Sequence, residues 1–277
     1  MSADEPMTAR LSRLFDELGD SEWHRLDKDA RSRVSLEIHR RFLRRHVAGG
    51  ASVLEIGAGA GRFTVELAQM ACRIVVTDIS PVQLTLNERH VSEAGLAAAV
   101  TGRRILDVCD LSSVADASFD AVVAVGGPLS YAFEGAEASL AEMLRIVRPG
   151  GVVVASVMGM IGTMRFFLSA IPKYAGQGRL DVLKQVVATG DNRFDVSAHP
   201  CRMFRWREID EMVGRLPCTL VGASASNFLS VGEQPVVDTI EEDPALWALL
   251  LDWEEECCAE PGALDSGTHM LFAVERI

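Results

Sequence analysis

Four stretches of this 277-residue chain end an apolar run in groups suited to holding a ligand. The first is Val53-Leu54-Glu55-Ile56, followed by Gly57-Ala58-Gly59-Ala60-Gly61-Arg62. Glycines in a G-x-G-x-G spacing allow a tight turn and let the backbone approach a bound molecule closely, with a helix starting beneath it. The second ends in Asp78, 17 residues beyond Gly61, where a carboxylate can accept hydrogen bonds from both ribose hydroxyls of an adenine nucleoside. The third ends in Asp107. The fourth, Phe119-Asp120-Ala121-Val122-Val123, runs into Val125-Gly126-Gly127-Pro128. Singly these features suit a turn or a helix cap. Together they place polar groups at the carboxyl ends of four consecutive strands, where open α/β sheets bind ligands.

The elements that must position these groups are legible as an alternation. Strands are expected at 51–56, 73–77, 101–106, 119–125 and 151–157, with helices at 62–70, 81–94 and 136–147. Ser80 is a natural N-cap with Pro81 in the first turn. Apolar, β-branched strands alternating with helices indicate a parallel sheet covered on both faces. Helical spacing also appears at 8–19 and about 28–47, the latter stopped by Gly49-Gly50. After Val157 the alternation is interrupted, with strand-like runs at 219–225 and 268–274 separated by helical patterns. In a helix over about 244–258, Leu246, Leu249, Leu250, Trp253 and Cys257 share a face expected to pack in the core.

Charge narrows the partners. There are 27 Lys plus Arg against 39 Asp plus Glu, a net charge of −12. The segment from Leu216 to Glu275 has no Lys or Arg and 12 acids, whereas His24 to His46 holds eight basic residues against three acids. These runs read as solvated helix faces. A chain this acidic suits nucleic acid poorly, since that affinity comes from cationic contacts to phosphate. Six cysteines without C-x-x-C spacing point to no metal site and to a reduced, cytoplasmic protein. The acidic start shows no secretory signal, and the apolar stretch 151–171 is interrupted by Arg165 and glycines, so no membrane span or membrane partner is expected.

On these motifs the chain resembles the class I S-adenosylmethionine-dependent methyltransferases. Glu55-x-Gly57-x-Gly59-x-Gly61, Asp78, Asp107-Val108, Phe119-Asp120-Ala121-Val122-Val123 and Leu144-Arg145-Ile146-Val147-Arg148-Pro149-Gly150-Gly151 carry the resemblance across residues 51–157. It implies an α/β fold: a seven-stranded Rossmann-like sheet, six strands parallel and the last antiparallel, with N-terminal helices and lid insertions. The organisation expected is a helical cap at 1–50, a cofactor-binding core at 51–157, a lid or substrate insertion at 158–217, and C-terminal strands at 218–277 with a helical insertion at 227–267. The cofactor implied is S-adenosyl-L-methionine. Gly57, Ala58, Gly59 and Gly61 would meet its methionine half, and Glu55 would order the turn or accept from its amine through water. Asp78 would hold the ribose, Asp107 and the Val108 N–H would read the adenine, Ile79 and Leu84 would sandwich it, and the Val125 carbonyl would take the ammonium. A carboxylate beside the loop would repel a pyrophosphate, which argues against a nicotinamide dinucleotide.

If the sixth strand is parallel and the seventh antiparallel, Asn227 and His269 lie on the ligand side, with segment 227–267 hanging over the site as a lid together with the start of the insertion after Val157. Tyr131, His199, Asn227 and His269 are the expected acceptor-side and catalytic residues, and a base among them would have to reach the nucleophile. Arg31, Arg33 and Arg41 suit a solvated face, with one able to reach the cofactor carboxylate. The activity implied is methyl transfer to O, N or C of a small molecule by in-line displacement. A protein, peptide or RNA methyltransferase and a non-catalytic S-adenosylmethionine-binding protein are the alternatives. The apolar surface around Trp247 and Trp253 suits a homodimer.

Overall fold

Side chains of the central strands alternate between two cores, which fixes the layers. Leu54, Ile56, Val122 and Ala124 point to one face of the sheet, and Val53, Ala121 and Val123 to the other. The computed structural model describes residues 6–193, 195, 199–231 and 234–277. In chain order it contains α1 (Met7–Leu18), α2 (Ser21–His24), α3 (Ala30–His46), β1 (Ser52–Ile56), α4 (Arg62–Gln69), β2 (Arg73–Asp78), α5 (Pro81–Glu93), β3 (Val100–Ile105), β4 (Phe119–Ala124), α6 (Pro128–Tyr131), α7 (Ala136–Ile146) and β5 (Val147–Met158). Then come α8 (Met160–Phe166), α9 (Ala170–Gly176), α10 (Leu180–Thr189), α11 (Trp206–Gly214), β6 (Cys218–Ala225), α12 (Gln234–Glu241), α13 (Pro244–Cys258) and β7 (His269–Arg276).

The strands form one seven-stranded sheet in the order β3-β2-β1-β4-β5-β7-β6. The pairs among β1 to β5 are parallel, and β7 runs antiparallel to both β5 and β6. This is the seven-stranded α/β arrangement the motifs implied. Its order reverses between β1 and β4, so their carboxyl ends diverge and leave a crevice there. Ser80 caps α5 by accepting from the Gln83 N–H, as expected. β5 is longer than its sequence pattern: it pairs at Val147, bulges through Arg148–Gly151 and resumes at Val152. Gly151 is required there, since a Cβ would lie 2.8 Å from the Arg148 and Asp120 carbonyl oxygens.

Three expectations are corrected by packing. The first concerns the lid at 158–217. Its last helix, α11, buries Ile209, Met212 and Val213 against the same core as α7, so only the preceding part faces the crevice. The second concerns the insertion at 227–267. Its ends reach the crevice, but α12 and α13 pack on α3, where Val237, Leu250 and Leu251 meet Ala30, Val34 and Ile38. The two charge runs are therefore partners rather than solvated faces. Arg41 lies 2.9 Å from Asp252 and 2.8 Å from Glu255, and Arg33 pairs with Glu241.

The third correction concerns the stripe on α13. Leu246, Leu249 and Trp253 are exposed, and the buried face is Leu250, Leu251, Glu254 and Cys258. A carboxylate rotates the helix. Glu254 is fully buried and accepts from the Phe228 N–H at 2.7 Å, the Leu229 N–H at 2.8 Å and the Ser230 hydroxyl at 2.7 Å. A hydrophobicity pattern scores that position as polar and so turns the helix the wrong way. All six cysteines are free. Among the described residues no helix is long and apolar enough to cross a membrane.

Candidate functional site

A cavity of about 1160 Å³ opens at the carboxyl ends of the parallel strands. Its first half is built by the glycine turn and the strand-end acids. Gly57, Gly59 and Gly61 all have positive φ, at 65°, 52° and 104°. Gly57 is the most constrained, because a Cβ would sit 2.6 Å from the Pro128 ring. The turn is tied to β2. Asp78 accepts from the Gly59 N–H at 2.8 Å and the Ser80 N–H at 2.8 Å, one on each carboxylate oxygen. Burial raises its pKa to about 6 despite those two hydrogen bonds. Each oxygen keeps a lone pair for a ligand hydroxyl.

Asp107 is held at its end of the cavity, accepting from the Cys109 N–H at 2.9 Å and from the Thr8 hydroxyl at 2.7 Å. Gly57, Ala58, Gly59, Gly61, Asp78, Ile79, Asp107, Val108 and Val125 all line the cavity. Two expected residues do not. Leu84 is buried in the core beneath α5. Glu55 lies below the turn, where it accepts from the Thr64 hydroxyl at 2.6 Å. Burial pushes its carboxyl up to about 8, so it is largely protonated at neutral pH and orders the turn as a neutral group. Its peptide carbonyl also accepts from the Thr77 hydroxyl, joining β1 to β2.

Helix α1 roofs this half, with Met7, Leu11, Phe15 and Leu18 facing inward. It is pinned to the strand ends by the Thr8 bond to Asp107 and by the Ser12 hydroxyl, 3.0 Å from the Ile79 carbonyl. The Gln83 amide also donates to the Phe15 and Gly19 carbonyls, both at 2.9 Å. The motifs did not reveal this roof. Its signal was the spacing of those four apolar residues on one helix face.

The second half draws on distant segments. Met158, Phe166, Leu183, Val186 and Met203 supply apolar wall. Tyr131 and His199 meet here, with His199 Nε2 2.9 Å from the Tyr131 oxygen. The Phe15 ring packs edge-on to both. Burial lowers His199 to about 4 and raises Tyr131, so both are neutral at physiological pH. An imidazole of that basicity is a weak base and a good orienting group.

His269 also lines the cavity, and its Nε2 is shut off from solvent with no hydrogen-bond partner among the described residues. Burial depresses its pKa first, then the neighbouring His39 and Arg25. Asn227 lines the cavity too, but its side-chain oxygen accepts from the Thr268 N–H at 3.0 Å, pinning the turn into β7. All four expected acceptor-side residues thus border one space. Of the three arginines considered, Arg31 lines it, while Arg33 and Arg41 face the C-terminal helices.

Sequence reasoning missed Arg25. Its guanidinium pairs with Glu22 at 2.9 Å inside the cavity and depresses both His199 and His269. No motif marks this pair, in which Glu22 lies on a four-residue helix and Arg25 caps its end.

Residues 53–151 match the family model of a methyltransferase domain. The ubiquinone biosynthesis O-methyltransferase of Methylocella silvestris is 30% identical over 126 residues, which cover 44% of each chain. The matched region thus spans less than half the length of that curated relative. Among solved structures, the cyclase SpnF superposes with a TM-score of 0.61 at 16% identity, covering 98% of this chain and 97% of that one. A geranyl diphosphate methyltransferase, in complex with GPP and sinefungin, gives 0.59 at 16% identity, covering 98% of this chain and 100% of that one. At such identities the structural likeness speaks for the fold.

Proposed function

We propose that this chain, whose residues 53–151 match the model of a methyltransferase domain, is a class I S-adenosylmethionine-dependent methyltransferase that methylates an O, N or C atom of a small-molecule acceptor. The observation that carries the reading is the continuity of the cavity. Its volume of about 1160 Å³ exceeds the usual range for one small ligand, and its two halves are lined by different chemistry. The donor set of the first half fits the cofactor: acids for hydroxyl and amine donors and glycine backbone, with Arg62 beside the turn engaged by Asp27 and the Trp23 ring rather than turned to a phosphate. When bound, S-adenosylmethionine would supply a methyl group on a sulfonium, and in-line attack of the acceptor atom on that carbon would break its S–C bond and release the neutral thioether.

The residues of the chain then act by holding and drying. Asp78 accepts from the ribose hydroxyls, and Asp107 with the Val108 N–H meets the adenine. Helix α1 excludes water from above, where desolvation strengthens every charge interaction. Tyr131, His199 and His269 orient the acceptor. With neutral, weakly basic imidazoles, the rate enhancement comes mainly from approximation. The small-molecule reading is favoured over a basic peptide because Glu241, Asp252 and Glu255 of the acidic C-terminal segment are engaged by arginines of α3. A division into cap, core, lid and C-terminal strands suits this reading, with α11 counted to the core. The name of the curated relative puts oxygen acceptors first in a screen.

Calorimetric titration with S-adenosylmethionine, S-adenosylhomocysteine and NAD in parallel tests the cofactor. Binding of the two sulfur nucleosides and not of NAD is expected. Binding of NAD alone overturns the reading. Tight cofactor binding with no turnover over a broad screen of phenols, amines and carbon acids would instead favour a non-catalytic binding protein.

A further inference from the structure

The cavity wall does not stop at the mouth. Helices α8 to α10 present one apolar face inward, through Phe166, Ala170, Leu183 and Val186. A second apolar stripe faces solvent. Ile161 and Met164 lie on α8, Leu168 in the turn that follows it and Ile171 on α9. All four are exposed, Leu168 at 63% and Ile171 at 45%. Phe167, 57% exposed, belongs to both faces and forms the lip. Leu229 extends the patch, since Arg165 on α8 donates to the Phe228 and Val231 carbonyls. An apolar patch this continuous on one segment marks a contact surface.

Charge says what it contacts. The chain has only three lysines, Lys28, Lys173 and Lys184, and all three lie on cavity-lining segments. All three are exposed, and none has an acid within 4 Å among the described residues. Among the described residues, Arg165 bonds only backbone carbonyls, and Arg31 bonds Gln234 and lies over the Phe166 ring. Elsewhere the basic run of α3 is cancelled by the C-terminal acids. Of the five basic residues in 158–193, Arg179 pairs with Asp195 and Arg193 with Asp191 and Glu134, so the positive charge left to the surface is that of Arg165, Lys173 and Lys184. A basic, exposed apolar surface on short helices is complementary to an anionic bilayer and suited to lying in its interface.

We propose that α8 to α10 dock the cavity mouth onto an anionic lipid surface, giving an apolar acceptor a route into the second half without crossing water. This revises the expectation of no membrane contact while requiring no spanning helix. The docking stands on the exposed surface alone. Only the identity of the group carried inside rests on the methyltransferase reading.

The test is co-sedimentation of the full chain with vesicles of phosphatidylcholine alone and with a quarter phosphatidylglycerol, at low and high salt. Binding to the anionic vesicles, weakened by salt, is expected. Lys184→Glu should cut partitioning about fivefold or more. Leu168→Asp with Ile171→Asp should cut it by roughly tenfold or more. None of these three side chains lines the cavity, so calorimetric binding of S-adenosylmethionine should be unchanged and reports folding. Absence of vesicle binding overturns the proposal, as does binding that ignores lipid charge and salt. A concentration-dependent dimer abolished by the same apolar substitutions would assign the patch to a second copy of the chain and also overturn it. Vesicle binding without cofactor binding would count against the methyltransferase reading and leave the docking intact.

Discussion

The two halves of the cavity are built in different ways. The cofactor half comes from the ends of β1, β2, β3 and β4, and its polar groups are locked by backbone hydrogen bonds, as when Asp78 spans Gly59 and Ser80. The half proposed for the acceptor is gathered from α2, α3, α6, α8 to α10, the segment around His199 and the start of β7, and its groups are held by one another. His199 meets Tyr131, and both meet Phe15 from the roof. The first half is a property of the sheet and can be shared by any chain with that sheet. The second is a property of the helices added around it, and specificity belongs there.

If that division is right, substitutions in one half should leave the other's ligand alone. The largest separation should come from Asp78→Ala. Loss of charge-assisted hydrogen bonds to the ribose is worth about 1–3 kcal/mol, so calorimetry should show cofactor affinity weaker by roughly tenfold to hundredfold. Acceptor KM, measured at saturating cofactor, should hardly move. His269→Ala should do the converse. Turnover is expected to fall roughly tenfold, about the effect of losing one orienting hydrogen bond, while cofactor affinity stays nearly constant. Unchanged turnover would return His269 to a packing role and dissolve the comparison on that side.

Acidification offers a subtler separation. Asp78 binds hydroxyl donors best as a carboxylate, and burial has brought its pKa to about 6. Cofactor affinity should therefore be flat above neutrality and weaken about tenfold between pH 7 and pH 5. Asp78→Asn should remove that dependence while lowering affinity throughout. A wild-type profile flat down to pH 5 would mean that another group carries the ribose.

The same contrast explains what could be read in the sequence. Strands, glycine turn and acids were legible because each is local: a run of β-branched residues, a G-x-G-x-G spacing, an acid at a strand end. The meeting of Tyr131 with His199 spans 68 positions, and no local pattern joins them. Arg25 was passed over because its meaning comes from where a four-residue helix lands. The α13 stripe was misread because a buried glutamate, satisfied by three backbone N–H groups, breaks the rule that the apolar face is the inner one. The charge runs were read separately, although each is the other's partner.

The smallest effect probes the floor of the cofactor half. Glu55 is pushed up to about 8 by burial, against an ordinary value of 4.5. The folded protein therefore holds a proton there that the unfolded chain releases above its ordinary pKa. Where the folded state binds more protons, stability falls as pH rises. The contribution is fully present below the unfolded pKa and is lost as pH climbs through about 8. His199 and His39, both lowered to about 4, and His269 and His46, also lowered, act with the opposite sign, an effect that fades above about pH 7.5 as the unfolded imidazoles lose their protons. Asp78 acts in the same direction as Glu55, but its window lies mostly below about 6. Between about pH 7.5 and 8.5 the trend should thus belong to Glu55, amounting to about 0.5–1 kcal/mol, or a degree or two of Tm. Glu55→Gln keeps an oxygen for the Thr64 hydroxyl and removes the titration, so thermal unfolding of the variant should lose that slope. A slope that persists in Glu55→Gln would place the proton elsewhere. The turn would then rest on an ionised carboxylate, and the cofactor's amine would have a second acid to meet.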